Sequence, residues 1–251
     1  MEAYTDFALV YDTFMDNTPY GRWCDLITGT LKRYGIEKDL VLDLGCGTGT
    51  LTELLAKEGY DMIGVDYSEE MLSRAMEKRE ESRLPILYLL QDMREFELYG
   101  TVKAVISVCD SLNYLLEAEE VVETFQLVNN YLDPKGLFLF DFNTVHKYRD
   151  VIGDTTIAEN RDDCSFIWEN YYHEEDCVNE YDVTFFVKEG ELFRRFEETH
   201  YQRGYTAEEM RVYLEKAGLE FVSMQDADTL MEVTEETERV YMIAREKGKQ
   251  E

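Results

Sequence analysis

The sequence predicts an α/β protein, with a mostly parallel seven-stranded sheet, helices on both of its faces, and an inserted antiparallel β-meander. Three observations carry the prediction. Short apolar runs alternate with helical spacing from residue 40 to residue 142, and that alternation builds parallel sheets through helical crossovers. From 155 to 200 the helical period gives way to alternation of period two. The helix-then-strand rhythm returns at Thr206.

The elements follow in order. Trp23, Leu26, Ile27 and Leu31 recur at helical spacing and predict a leading helix packed on the sheet. Residues 40–44 (LVLDL) form an apolar run that stops at glycine, which reads as a buried strand. A helix is predicted over 50–58 and a strand over 61–65. Ser68 then caps a helix running to about Arg79, with Glu69 and Glu70 in the first turn, where negative charge suits the helix dipole. Strands are predicted over 86–90, 104–108 and 137–142, the last after a helix over 118–132 stopped by Asp133-Pro134-Lys135-Gly136. Residues 165–172, 179–188 and 192–200 read as antiparallel strands, with a hairpin turn at 188–191. Thr206 caps a further helix that ends at Gly218, and 219–224 and 239–244 make a terminal antiparallel pair. This organisation divides the chain into a core of 1–150 and 200–251 and a β-rich insertion of 151–199.

Charge narrows the function. Lys plus Arg is 25 and Asp plus Glu is 54, a net charge of −29. Such a field repels phosphate backbones and anionic membranes, so neither nucleic acid nor membrane is an expected partner. The one tight basic cluster, 245–249, is interrupted by Glu246 and reads as a solvated tail. The acidic N-terminus carries no long apolar stretch, and no window approaches the ~20 apolar residues of a membrane helix. The five cysteines are odd in number and lack CxxC spacing. That fits reduced thiols in a cytoplasm, and no zinc site is expected.

The strongest local signal is Val41-Leu42-Asp43-Leu44-Gly45-Cys46-Gly47-Thr48-Gly49, where the first strand gives way to a helix. Glycines there let the backbone turn sharply and approach a ligand without a Cβ in the way. The spacing is GxGxG; the dinucleotide fingerprint GxGxxG would need glycine where Thr50 stands. Asp43 lies two residues before the first glycine. Asp66, at the end of the second strand, lies about 20 residues beyond the loop, the distance at which a carboxylate reaches ribose hydroxyls on such a sheet. Gln91-Asp92-Met93 and Ser107–Asp110 end the third and fourth strands. Ligands of open α/β sheets bind at those strand ends.

The set resembles the class I S-adenosylmethionine-dependent methyltransferases, whose fold is Rossmann-like. The resemblance is clear over residues 1–150, returns by pattern over 200–250, and is loose between. It implies S-adenosyl-L-methionine as cofactor. Asp43, Gly45, Cys46, Gly47 and Gly49 would then meet its methionine carboxylate and amino groups. Asp66 and Tyr67 would meet the ribose, Asp92 and Met93 the adenine, and Ser107 the methionine moiety. Within the superfamily the layout is similar to amino-sugar and glycine N-methyltransferases and to bacterial relatives with the same insertion. These share an aromatic N-terminal segment, here Tyr4, Phe7, Tyr11-Asp12 and later Trp23. By resemblance it folds over the cofactor; by its residues alone it packs a helix on the sheet.

The expected reaction is methyl transfer to nitrogen or oxygen of a small-molecule acceptor, with the insertion as acceptor-binding lid. An RNA or protein methyltransferase and a non-catalytic adenosine-ligand module are the alternatives. An Asn-Pro-Pro-Tyr type motif, which serves base amino groups, is replaced after the fourth strand by Cys109-Asp110-Ser111-Leu112. Polar candidates at the mouth are Asp110, Asn113, Tyr114, Asp141, Asn143, His173, His200 and Tyr201. Tyr114 and His200 are the candidates for catalysis, since an amine must lose a proton. His200 also reads as a solvent-exposed or structurally bonded histidine.

Overall fold

The computed structural model describes residue 8 and residues 10–250. Tyr4 and Phe7 lie outside the described residues. The chain enters through one helical turn, α1 (Tyr11–Phe14), and a helix, α2 (Tyr20–Arg33). Then follow β1 (Leu40–Leu44), α3 (Thr50–Lys57), β2 (Asp61–Asp66), α4 (Glu69–Ser82), β3 (Leu87–Leu90) and β4 (Val102–Ser107). After a 3-10 turn at Ser111–Tyr114 come α5 (Ala118–Tyr131) and β5 (Leu132–Asn143). A second sheet holds β6 (Thr156–Asn160), β7 (Cys164–His173), β8 (Val178–Glu189) and β9 (Leu192–Arg203). The chain finishes with α6 (Ala207–Lys216), β10 (Leu219–Asp226) and β11 (Arg239–Glu246).

The main sheet runs in the order β10-β11-β5-β4-β1-β2-β3. β1 to β5 are parallel, and β11 runs against both of its neighbours. The terminal pair is therefore present, and β11 lies between β10 and β5. Side-chain parity sorts the two faces. Leu42, Leu44, Phe138, Phe140 and Phe142 pack one way, with α5 and α6 residues such as Phe125 and Leu214. Val41, Leu137 and Leu139 pack the other way, with Ile27 and Leu31 of α2 and Leu51 and Leu55 of α3. The helix starts are closed as their sequences dictate. The Ser68 hydroxyl accepts the Met71 N–H at 3.2 Å, and Thr206 and Glu209 cap each other reciprocally. Such a cap stabilises by about 1 kcal/mol.

Two elements differ from expectation. The second sheet has four strands where three were expected. β6 is a short edge strand whose only large apolar side chain is Ile157, which is too little alternation to recognise. β5 begins directly where α5 ends. Residues 133–136 form an irregularity in that strand, because the pairing jumps from Val102↔Leu132 to Ala104↔Leu137.

Two features position the site. The chain fills β1, β2 and β3 to one side and then returns to place β4 on the other side of β1. That switch opens a crevice beyond the ends of β1 and β4. The second sheet stands over this end of the core. Asn113 in the 3-10 turn donates to the carbonyls of Asn143 (2.9 Å) and Arg203 (2.7 Å), stapling β5 to β9. Among the described residues, no helix is long and apolar enough to cross a membrane.

Candidate active site

The glycine loop is held by backbone. Gly45 and Cys46 donate to the Val65 carbonyl at 2.8 and 3.0 Å. The Gly47 N–H donates to Asp66 Oδ2 at 2.8 Å, and the Ser68 N–H to Asp66 Oδ1 at 2.9 Å. Gly45 has φ +79°, and a Cβ there would lie 2.6 Å from Ser111 Oγ. At Gly47, φ +54°, nothing stands within 4 Å of that position. The loop is thus closed at its base and open at its middle. Burial raises the Asp66 carboxyl, and the N–H groups of Ser68 and Gly47 oppose the shift. Asp43 lies beneath the loop and accepts the Thr52 hydroxyl of α3 at 2.6 Å. Burial pushes its carboxyl up to about 7.

α1 lies across this loop. The Asp12 carboxylate accepts the Thr48 hydroxyl at 2.6 Å and pairs with the Lys78 ammonium of α4 at 2.6 Å. Lys78 also donates to Thr48 (3.0 Å) and Thr50 (2.8 Å). On its other side the same turn faces the second sheet. Val10 and Phe14 join an apolar cluster with Phe166, Val183 and Phe185. Arg161, between β6 and β7, holds Asp16 at 2.7 Å and sits over the Phe14 ring. Tyr11 Oη lies 3.8 Å from Cys109 Sγ.

The end of β4 is strained. Cys109 (φ +66°) and Asp110 (φ +55°) are successive left-handed residues, neither of them glycine. Each such conformation costs roughly 1–3 kcal/mol and persists only where the surroundings enforce it. Asp141 enforces it here by accepting both N–H groups, at 3.2 and 2.9 Å. Arg239 bridges Asp141 (3.2 Å) and Asp110 (2.7 Å). The Trp23 ring covers Arg239 at 5.6 Å. Gln202 of β9 donates to Asp110 at 2.9 Å and accepts from Tyr148 at 2.8 Å. Burial, with Asp110 beside it, pushes the Cys109 thiol up to about 12. It therefore stays protonated and is no nucleophile.

Beside this cluster, Tyr114 Oη lies 3.1 Å from His200 Nδ1 and 3.0 Å from Tyr181 Oη. The structure thus brings Tyr114, His200, Asp110, Asn113, Asp141 and Asn143 together in one polar cluster. Tyr201 and His173 lie elsewhere. Tyr201 alternates with His200 and is 44% exposed on the outer face, where it donates to Glu180. His173 pairs with the same Glu180 at 2.8 Å.

Along the crevice, Met93 approaches the glycine loop, its Cε 3.4 Å from the Cβ position of Gly45. Both Asp92 oxygens are held by the Arg94 guanidinium. Tyr67 is exposed, and Ser107 is fully buried at the end of β4. Trp23 sits by Val108, Asp141 and Tyr241, on the opposite side of the loop from Asp66. Sequence reasoning missed Arg239, Gln202, Lys78 and Arg161. Each is a polar residue among other polar residues and has a partner distant in the chain, so no local pattern marks it.

The residues fit S-adenosylmethionine. The loop is open at Gly47, a carboxylate stands at the end of β2, and Ser107 Oγ is buried with no hydrogen-bond partner among the described residues. Likeness to known proteins points the same way. A methyltransferase-domain family model matches residues 41–136, from β1 into β5. YqeM of Bacillus subtilis (strain 168), a methyltransferase by assignment, is 40% identical across 96% of each chain. A dTDP-3-amino-3,4,6-trideoxy-alpha-D-glucopyranose N,N-dimethyltransferase of Streptomyces venezuelae is 34% identical over 54% of this chain and 56% of its own length. A solved S-adenosylmethionine-dependent methyltransferase from Clostridium acetobutylicum ATCC 824 covers 98% of this chain and 100% of its own, with TM-score 0.89 and 30% identity. A crevice of this shape, shared with relatives along the full length, makes the chain a member of the class I S-adenosylmethionine-dependent methyltransferases.

Proposed function

We propose that the protein methylates nitrogen or oxygen of a small-molecule acceptor held between the crevice and the inner face of the second sheet. The observation that carries this reading is the polar cluster of Asp110, Tyr114, Tyr181 and His200 between the end of β4 and strands β8 and β9. Such a cluster suits a compact acceptor with a dissociable proton. The net charge of −29 disfavours RNA, and the sugar N,N-dimethyltransferase relative supports the acceptor class.

S-adenosylmethionine supplies an electrophilic methyl group on a sulfonium. The chain does the rest. Gly45, Cys46, Gly47 and Gly49 offer backbone to the methionine end, beside Asp43 and Ser107. Asp66 and Tyr67 hold the ribose, and Asp92 and Met93 the adenine, with Asp92 sharing its carboxylate with Arg94. Tyr11 and Trp23 flank the methionine end. Residues 151–199 form the lid, and positioning of this kind contributes up to roughly 7–11 kcal/mol.

The test is calorimetry followed by an acceptor screen. Micromolar binding of S-adenosylmethionine and S-adenosylhomocysteine, with none of NADH, is expected. Labelled methyl should then pass to a member of a panel of amines and hydroxy compounds. Label appearing only in the total-RNA arm or the protein-extract arm would overturn the acceptor class.

A further inference from the structure

The inward positions of β9 change character along the strand. They read Phe196, Glu198, His200, Gln202. Glu198 is 6% exposed and His200 2% exposed. Burying a carboxylate is costly unless a partner compensates it, and here an imidazole lies beside it. Glu198 Oε2 is 3.4 Å from His200 Nε2. The other ring nitrogen, Nδ1, is the one that meets Tyr114 Oη. Tyr181, opposite His200 on β8, stacks on its ring with centroids 5.0 Å apart and an interplanar angle of 12°. Trp168 of β7 backs Tyr181 at 4.9 Å. The imidazole is thus fixed in plane by packing and faced at each nitrogen by a different group.

Those groups set the tautomer. The 3.4 Å separation is an ion-pair distance and not a formed hydrogen bond; an ionised carboxylate only accepts hydrogen bonds, so a charge on Glu198 favours the hydrogen on the Nε2 that faces it. Nδ1 then presents its lone pair to the Tyr114 hydroxyl. The 3.4 Å contact is longer than a charge-assisted bond of about 2.7–2.9 Å. It has room to tighten when the ring gains a charge, as such contacts do when chemistry begins.

We propose that Glu198 is a positioning residue, holding His200 as its Nε2–H tautomer so that Tyr114 and His200 together remove the proton the acceptor loses. The proposal rests on the reading of the acceptor as an N–H or O–H nucleophile. For an amine, the nitrogen lone pair forms the new N–C bond as the S–C bond breaks, its electron pair staying on sulfur. The nitrogen's proton passes to Tyr114 Oη while the Tyr114 proton passes to His200 Nδ1. The imidazolium charge is matched by Glu198, and the proton leaves to solvent after product release. The titratable groups facing the ring are Tyr114 from the turn after β4, Tyr181 from β8 and Glu198 from β9.

The chain has three histidines, so histidine-labelled nitrogen NMR of the whole protein is simple to assign, with His200→Gln identifying the His200 signals. Near neutral pH, His200 is expected as the Nε2–H tautomer. Glu198→Gln, which keeps the shape and removes the charge, should move a measurable share of His200 to the Nδ1–H tautomer. With the acceptor found in the screen, kcat should fall roughly 10- to 100-fold. KM and cofactor affinity should stay within about twofold, and Glu198→Asp should recover part of kcat. An Nδ1–H tautomer in the native protein, or an unchanged tautomer balance in Glu198→Gln, would sink the relay even where methylated product forms. A failed acceptor screen with the Nε2–H tautomer present would remove the acceptor reading and leave the Glu198–His200 geometry standing.

Discussion

The two walls of the crevice are made in different ways. On the β1–β2 side the working groups are backbone: glycines at positive φ and N–H groups tied to Val65 and Asp66. On the β4–β9 side they are side chains: Asp110, Arg239, Gln202, Tyr114 and His200, brought from three separate stretches of chain. The first wall serves a ligand common to the whole family. Backbone suits that task, since its geometry depends on the loop and little on neighbouring side chains. On the proposed reading the second wall faces the acceptor, where side chains can vary while the strands that carry them stay.

The comparison is broken most directly at Gly45. Alanine there would put Cβ 2.6 Å from Ser111 Oγ and 2.7 Å from Ser111 Cβ, at φ +79°. The left-handed backbone costs roughly 1–2 kcal/mol and the overpacking about 1–3 kcal/mol more. Gly45→Ala should therefore lower unfolding free energy by about 2–5 kcal/mol in a urea melt and show no heat on titration with S-adenosylmethionine. A variant of native stability that still binds the cofactor would mean the first wall is not built from backbone.

This difference also sets what the sequence reveals. A backbone site needs glycines at fixed spacing, so Gly45, Gly47, Gly49 and Asp66 are legible in a contiguous stretch. The parallel strands are legible too, because Val41–Leu44 and Leu137–Phe142 are apolar on both faces. A side-chain site depends on register. His200 and Tyr201 are adjacent and equally polar in the sequence, yet the pairing of His200 with Tyr181 puts one inward and leaves the other at the surface. Arg239 is the clearest miss. It opens β11, more than a hundred residues from Asp110, and only the position of β11 beside β5 brings it to Asp141.

Buried charge sharpens the comparison. Asp141 has Arg239 beside it at 3.2 Å, whereas Asp43 has the Thr52 hydroxyl. With no cation to offset burial, Asp43 is pushed up to about 7 from 3.8. A carboxyl raised on folding favours the fold while protonated. Its contribution is fully present below the unfolded pKa and is lost as pH rises through the folded one. Stability should therefore decline between about pH 4 and pH 7, by an amount on the order of 4 kcal/mol from this group. Asp43→Asn keeps an oxygen for Thr52 and should flatten that decline. Melting temperatures at pH 5 and pH 8 measure it. An equal drop in the variant would place the charge cost elsewhere.

The smallest expected effect joins the two walls. α1 touches both, through Asp12 on the glycine loop and Phe14 on the second sheet. Lys78 binds the turn to the loop from α4, and its pair with Asp12 is partly exposed, with 28% and 43% of the two side chains accessible. Partly exposed ion pairs contribute about 0.2–1 kcal/mol. Lys78→Ala should therefore weaken S-adenosylmethionine binding by no more than about fivefold, with most of the change in the dissociation rate, because the turn would leave the loop more often. The change should shrink in high salt, which screens the same pair. If dissociation is unchanged while Gly45→Ala abolishes binding, the turn only covers the backbone wall and the loop holds the cofactor by itself. If dissociation rises, the turn is part of the cofactor site, and the two walls act as one enclosure.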